Sequence, residues 1–296
     1  MHSINPVFLL GPGRSGTTLL YKILSLHPEV GFISNYDERF SNHLPTPLLS
    51  RLLAPRLQLK QWSWFNDHGN AYFKSRPWLR KLIPTPVEGE RIFSRSGMTL
   101  AECDTAASAT ITEKLRRNLI WLQRHQGSKA LLIKRTANNR RIPCLAAAFP
   151  EARYLFLLRD GRSVADSLTK VRWWNDHQVW WANHQTPLQL QNKSQSMLGI
   201  AARNWTEEMR CIQFGLRGIK PENVLMVRYE ELLDRPLECL HVILQFIGVK
   251  PCAEHDAAIA ARRLANRRES WRDWTADQLD LVMSIQREYL KIYGYV

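Results

Sequence analysis

Four short apolar runs recur along the chain: "PVFLLG" (6–11), "ALLIK" (130–134), "RYLFLL" (153–158) and "NVLMVRY" (223–229). Each is too short for a buried helix, and each reads as a strand with both faces covered. Between them apolar residues return at helical spacing, over about 106–125, 161–174, 197–218, 236–247 and 276–292. The first strand is followed by "SGTTLLYKILSLHP", whose Leu19, Leu20, Ile23, Leu24 and Leu26 form one stripe that Pro28 ends. Strands alternating with longer helices predict an α/β chain with a central parallel sheet and helices on both faces. Residues 41–104 break this rhythm. Rich in Pro, Trp and Arg, they read as an irregular helical insertion, at about 46–104, within a single domain spanning 1–296.

Composition narrows the picture only a little. With 296 residues, 45% of them apolar, a sizeable core is available, and no stretch approaches the ~20 apolar residues of a membrane span. The first apolar run is too short for a secretion signal, so a cytoplasmic location is expected. Five cysteines without a C-x-x-C pair argue against a disulfide framework or a structural zinc site. Charge changes more: 41 Lys+Arg against 27 Asp+Glu leave +14, an excess that attracts polyanions. Nucleic acid, an anionic membrane surface and a phosphorylated small molecule would each satisfy it.

The chemistry enters with "GPGRSGTTLL" (11–20) and its echo "RSGMTL" (95–100). A phosphate loop needs a strand before it, a turn that bares backbone N–H groups, and a helix N-terminus after it. Only the first stretch has all three. Its glycine spacing follows G-x-x-x-x-G-K-[ST], but Thr17 stands where the lysine for β- and γ-phosphates belongs. The triphosphate–Mg²⁺ machinery is therefore incomplete, and Arg14 supplies a cation inside the loop instead. Gly13, Arg14, Ser15, Gly16, Thr17 and Thr18 are the expected anion-holding residues. In "RYLFLLRDGRSVADSL" (153–168), Arg159 ends a strand and Ser167 follows in the next helix, so the two could converge on a second anion.

Together these segments resemble the P-loop-like sulfotransferases, in the bacterial and tyrosylprotein-type branch, which move a sulfuryl group from 3′-phosphoadenosine-5′-phosphosulfate (PAPS). "GPGRSGTTLL" looks like their 5′-phosphosulfate loop, with Arg14 where many members carry lysine, and "LFLLRDGRSVADSL" like their 3′-phosphate motif. "KRTANNRRIPCLAAAFPEARY", "VRYEELLDRPLECLHVILQFIGV" and "ANRRESWRDWTADQL" are similar as well. The resemblance covers about 6–45 and 130–296. It implies a three-layer P-loop-like fold, PAPS as donor, 3′,5′-diphosphoadenosine (PAP) as product, and no metal. It also implies 3′-phosphate contacts from Arg159 and Ser167, with Arg267 or Arg268 in a flap over the nucleotide.

Transfer would need charge stabilisation by Arg14 and a general base for the acceptor. The register that gives relatives a glutamate falls here on Ser34 or Asn35; Glu38, then Asp37, then His43 are the nearest candidates. Lys134 and Asn138 follow a strand end, where ligand contacts gather in open α/β sheets. "VRWWNDHQVWWANHQ" (171–185) offers Trp173 and Trp174 for stacking on an acceptor, taken to be a sugar, a phenol or another small alcohol. The rival readings are a P-loop kinase or NTPase, which would want lysine at 17, and a non-catalytic nucleotide- or nucleic-acid-binding protein. No nucleic-acid-binding module is recognisable.

Overall fold

The structure, a computed structural model, describes residues 4–40, 57–65, 83–98, 109–193, 195–262 and 269–296. Five parallel strands form one sheet in the order β2-β3-β1-β4-β5, with β1 Pro6–Leu10, β2 Val30–Phe32, β3 Ala130–Lys134, β4 Arg153–Leu158 and β5 Val224–Arg228. Four of these are the strands expected from the apolar runs. The fifth, β2, is a three-residue edge strand too short to leave a periodic signal.

Alternation along each strand divides the core in two. Val7, Leu9, Leu132, Leu155 and Leu157 face one way, against helix α1 (Thr17–Ser25) and the helices Pro236–Phe246 and Ala253–Ala260. Phe8, Leu10, Leu131, Ile133, Tyr154 and Phe156 face the other, against the helices Ala109–Gln126, Ile142–Ala148, Gly161–Thr169 and Met197–Leu216. Burying each such side chain stabilises the fold by about 1.5–3 kcal/mol. Helices on both faces of a parallel sheet are the expected three-layer sandwich. Several short helices were not apparent from periodicity, among them α2 (Asn35–Phe40), Ile142–Ala148, Tyr229–Asp234 and Ala253–Ala260. Helix Gly161–Thr169 also ends earlier than its apolar pattern, giving way to a 3-10 turn at Arg172–Trp174. Among the described residues no helix is long and apolar enough to cross a membrane.

After β1 the chain runs to β2 on one side, returns to β3 beside β1, and then crosses to β4 on the other side. In open parallel sheets ligands bind outside the carboxyl ends of the strands where the order reverses. Here those ends are Leu10, Lys134 and Leu158.

At the other end of α1, two buried histidines lie with ring centroids 5.2 Å apart. His27 Nε2 is 3.0 Å from the Lys250 carbonyl, and His255 Nε2 is 3.1 Å from that of Ile23. Burial holds both below the usual histidine value, His27 further lowered by His255 beside it. The folded state thus disfavours the proton that the unfolded chain accepts near pH 6.5. The stabilisation from keeping both neutral is complete above that value and lost as pH falls through it toward the folded-state value. Urea midpoints should be lower at pH 5.5 than at pH 7.5, and His255→Gln should flatten the difference; equal midpoints in the native sequence would contradict this account.

Candidate functional site

The loop from Gly11 to Gly16 is bent by three residues with positive φ. Gly11 has φ 149°, Arg14 70° and Gly16 90°. A Cβ on Gly11 would lie 2.7 Å from the Leu157 carbonyl oxygen, and one on Gly16 only 2.4 Å from the Tyr229 ring. Both positions thus need glycine for conformation and for space. Arg14 has no such licence, and a left-handed arginine costs about 1–2 kcal/mol. Two bonds to the second motif hold it. Arg159 donates from its guanidinium to the Arg14 carbonyl at 2.9 Å, and Arg14 Nε donates to Ser167 Oγ at 3.1 Å. Arg159 in turn stacks on the Tyr229 ring, 4.6 Å from its centroid.

The loop leads into α1, whose N-cap is Gly16, without a side-chain cap and without an acid in the first turn. The helix N-terminus, with its partial positive charge, therefore faces the same corner as the two arginines. Ser15 Oγ is wholly buried and has no hydrogen-bond partner. A Cβ on Gly13, by contrast, would meet nothing within 4 Å. A buried hydroxyl without a partner among the described residues, an open backbone position, a helix N-terminus and two guanidinium groups together fit a phosphate-bearing ligand.

The echo stretch behaves oppositely. Arg95 closes the helix Glu90–Arg95, Ser96 is its C-cap, and Gly97, at φ 91°, turns the chain away. The same three letters lie at the carbonyl end of a helix, where the dipole disfavours an anion.

Asn139, adjacent to the predicted Asn138, is the residue that fixes the loop. Its amide accepts from Gly11 N at 3.1 Å and donates to Gly11 O at 3.0 Å. Asn138 is fully buried, and both polar atoms of its amide lack a partner. Lys134, also buried, forms an ion pair with Glu88. Burial alone would push the Glu88 carboxyl up, but Lys134 and the Thr136 N–H hold it below the usual carboxylate value. Asp37 is buried and accepts from Ser34 N at 2.8 Å and Ser34 Oγ at 2.7 Å, so it braces the corner between β2 and α2. Glu38 takes the Arg91 N–H on both oxygens at 3.1 Å.

Of the two predicted tryptophans only Trp173, 51% exposed, offers a face to solvent. Trp174, at 1%, packs in the core beside His177, because successive side chains of a 3-10 turn point about 120° apart. It has no free surface for stacking on a ligand. Arg267, Arg268 and His43 lie outside the described residues. Glu230 was missed by sequence reasoning. It accepts the Asp160 N–H at 3.2 Å and the Tyr295 hydroxyl at 2.9 Å, tying the second motif to the chain's last turn. Its signal was present in "VRYEELL", but spacing gives no hint of which partner a carboxylate takes.

A parallel sheet whose carboxyl edge carries a glycine loop, a helix N-terminus and converging arginines defines an α/β protein of the P-loop-like fold. The sequence profile described as the Sulfotransferase family matches residues 6–254, and the chain belongs to that family. A Caenorhabditis briggsae protein, described provisionally as a protein-tyrosine sulfotransferase, is 24% identical over 244 residues. That match covers 82% of this chain but 65% of the relative's length. Sulfotransferase STF9 of Mycobacterium avium shares the fold at a TM-score of 0.60 and 17% identity, over 99% of this chain and 77% of its own. STF1 of Mycobacterium tuberculosis H37Rv does so at 0.58 and 15%, over 96% and 76%.

Two glycines separate structural from ligand demands. Gly16→Ala should lower thermal stability measurably, since it strains the backbone and strikes Tyr229. Gly13→Ala should melt close to the native protein yet weaken binding of PAP by calorimetry; unchanged affinity would mean that the ligand does not approach this position.

Proposed function

We propose that the protein transfers a sulfuryl group from PAPS to a hydroxyl of a small acceptor, a sugar, phenol or other alcohol. The observation that carries this reading is the junction of Arg14 with Arg159 and Ser167, which brings a loop for one phosphate and a motif for a second to the same edge of the sheet. PAPS bears two such separated anionic groups. Backbone N–H groups from Gly13 to Thr18 and the hydroxyls of Ser15, Thr17 and Thr18 would hold the 5′-phosphosulfate end. Arg159 and Ser167 would hold the 3′-phosphate, with Arg267 or Arg268 covering it.

Bound there, PAPS would supply the sulfuryl group, and the bridging oxygen would leave on the 5′-phosphate of PAP. A guanidinium does not readily give up a proton, so the part of Arg14 would be to neutralise charge on the departing oxygen. No metal enters this scheme. The acceptor's proton needs a general base. Asp37 and Glu38 were the candidates from sequence, and each is engaged by backbone on α2 or beside it. Glu88 is engaged as well, by Lys134 and the Thr136 N–H, and we favour it only for its place: Lys134 ends β3, the strand alongside β1. Trp173 would stack on the acceptor, as aromatic faces do on sugar and phenol rings. The family's tyrosine-named relative favours a phenol.

Arg14→Ala should lower kcat by ~10²–10³ while PAP affinity changes far less, and Arg14→Lys should recover much of the loss. Arg95→Ala should leave both near native values; loss of PAP binding there, with none in Arg14→Ala, would move the site to the echo loop at 95–100. Glu88→Gln should reduce kcat by about 10²-fold or more and Glu38→Gln by less than tenfold, read as transfer from labelled PAPS. The opposite ranking would return the base to α2. Arg159→Ala should weaken PAP by roughly 1.5–3 kcal/mol and an analogue lacking the 3′-phosphate by clearly less, the remaining loss reflecting the Arg14 carbonyl that Arg159 also holds; equal losses for the two ligands would remove Arg159 from the 3′-phosphate.

A further inference from the structure

One buried carboxylate outside the phosphate-facing groups joins three segments. Glu208, on helix Met197–Leu216, is 3% exposed. Its Oε2 accepts from Asn139 Nδ2 at 2.7 Å; its Oε1 accepts from Arg140 at 3.1 Å and from Trp180 Nε1 at 2.9 Å. Asn139 is the residue that grips both backbone groups of Gly11. Trp180 begins the 3-10 turn Trp180–Ala182 in the tryptophan-bearing loop, with the Arg140 guanidinium 4.9 Å over its ring.

That loop is held in an uncommon shape. Asn183 and His184 follow the turn with φ of 50° and 58°, two consecutive left-handed residues that are not glycine. Such a conformation persists only where surroundings enforce it. The enforcement is visible: Val179 N donates to Gln185 O at 3.0 Å, Val179 is buried, and Trp181 Nε1 donates to Asn204 Oδ1 at 3.0 Å, one turn before Glu208 on the same helix. Two indole N–H groups therefore hang the loop from the helix that also anchors Gly11.

We propose that Glu208 is a positioning residue that sets the loop 171–185, which bears the acceptor-facing Trp173, in register with the donor loop at Gly11. This rests on the sulfotransfer reading above. A carboxylate suits the task because three donors converge on it. Glutamine offers one accepting oxygen and turns an amide N–H₂ against donors on the other side. A buried ion pair adds little net stability on average, so its effect is felt chiefly in geometry.

The test uses hydrogen exchange by mass spectrometry on the full chain, with Trp180→Phe and Glu208→Gln. Trp180→Phe keeps an aromatic ring under Arg140 and deletes only the donor to Glu208. Amides of a peptide covering 9–20 should exchange about five- to tenfold faster in both variants, corresponding to about 1–1.4 kcal/mol of local opening. A peptide covering 153–158 should stay at native rates. PAP should bind about three- to tenfold more weakly, and the acceptor KM should rise more than kcat falls. The double variant should match Glu208→Gln alone, because both act through one carboxylate. Native exchange over 9–20 in Trp180→Phe overturns the proposal, as does a uniform rise across the chain, which would mark a role in the fold alone. Should Glu208→Gln fail to fold, Trp180→Phe decides. If the native protein bound no PAP, the donor reading would fall, while the exchange rates would still report whether Glu208 ties the two loops.

Discussion

The hydrogen bond from Arg159 to the carbonyl of Arg14 is the constraint on which the site depends. It crosses from the end of β4 to the loop after β1, and so converts two neighbouring strand ends into one binding surface. The loop could otherwise relax, since a left-handed arginine costs about 1–2 kcal/mol, roughly what one charge-assisted bond returns. The arginine that would meet the 3′-phosphate is also the one that shapes the cradle for the 5′ end.

Much of this was legible in the sequence. The apolar runs at 6–10, 130–134 and 153–158 are strands because a strand buried on both faces must be apolar throughout, whereas the run at 224–228 forms a partly exposed edge of the sheet. The loop at 11–16 was legible for a related reason: only glycines at 11 and 16 let the chain pass Leu157 and Tyr229. The echo at 95–97 shows the limit. Its letters match, and what separates it from the loop at 11–16 is which pole of a helix it occupies, a property of the surrounding residues rather than of the motif.

What remained illegible is partnership between distant side chains. Asn138 and Asn139 are indistinguishable as letters, yet only Asn139 reaches Gly11. Trp173 and Trp174 share composition and context, and a 3-10 turn sends one outward and the other into the core. Glu88 stands in a region without periodicity, and its meaning comes from Lys134, 46 residues away. Local pattern reports burial well, because burial is decided by spacing. It reports function poorly wherever function is a meeting of residues far apart in the chain.

Tyr229 carries a consequence beyond this molecule. One face of its ring closes against Gly16 and its π-cloud supports the Arg159 guanidinium. A smaller residue at 229 would leave a void beside the loop and strip the arginine of its platform, while any side chain at 16 would require the ring to leave. The three positions are therefore not independent characters in evolution. In descendants of this chain, positions 16, 159 and 229 should change as a set or not at all, and a lineage that replaced the aromatic would have to find a new way of holding the loop.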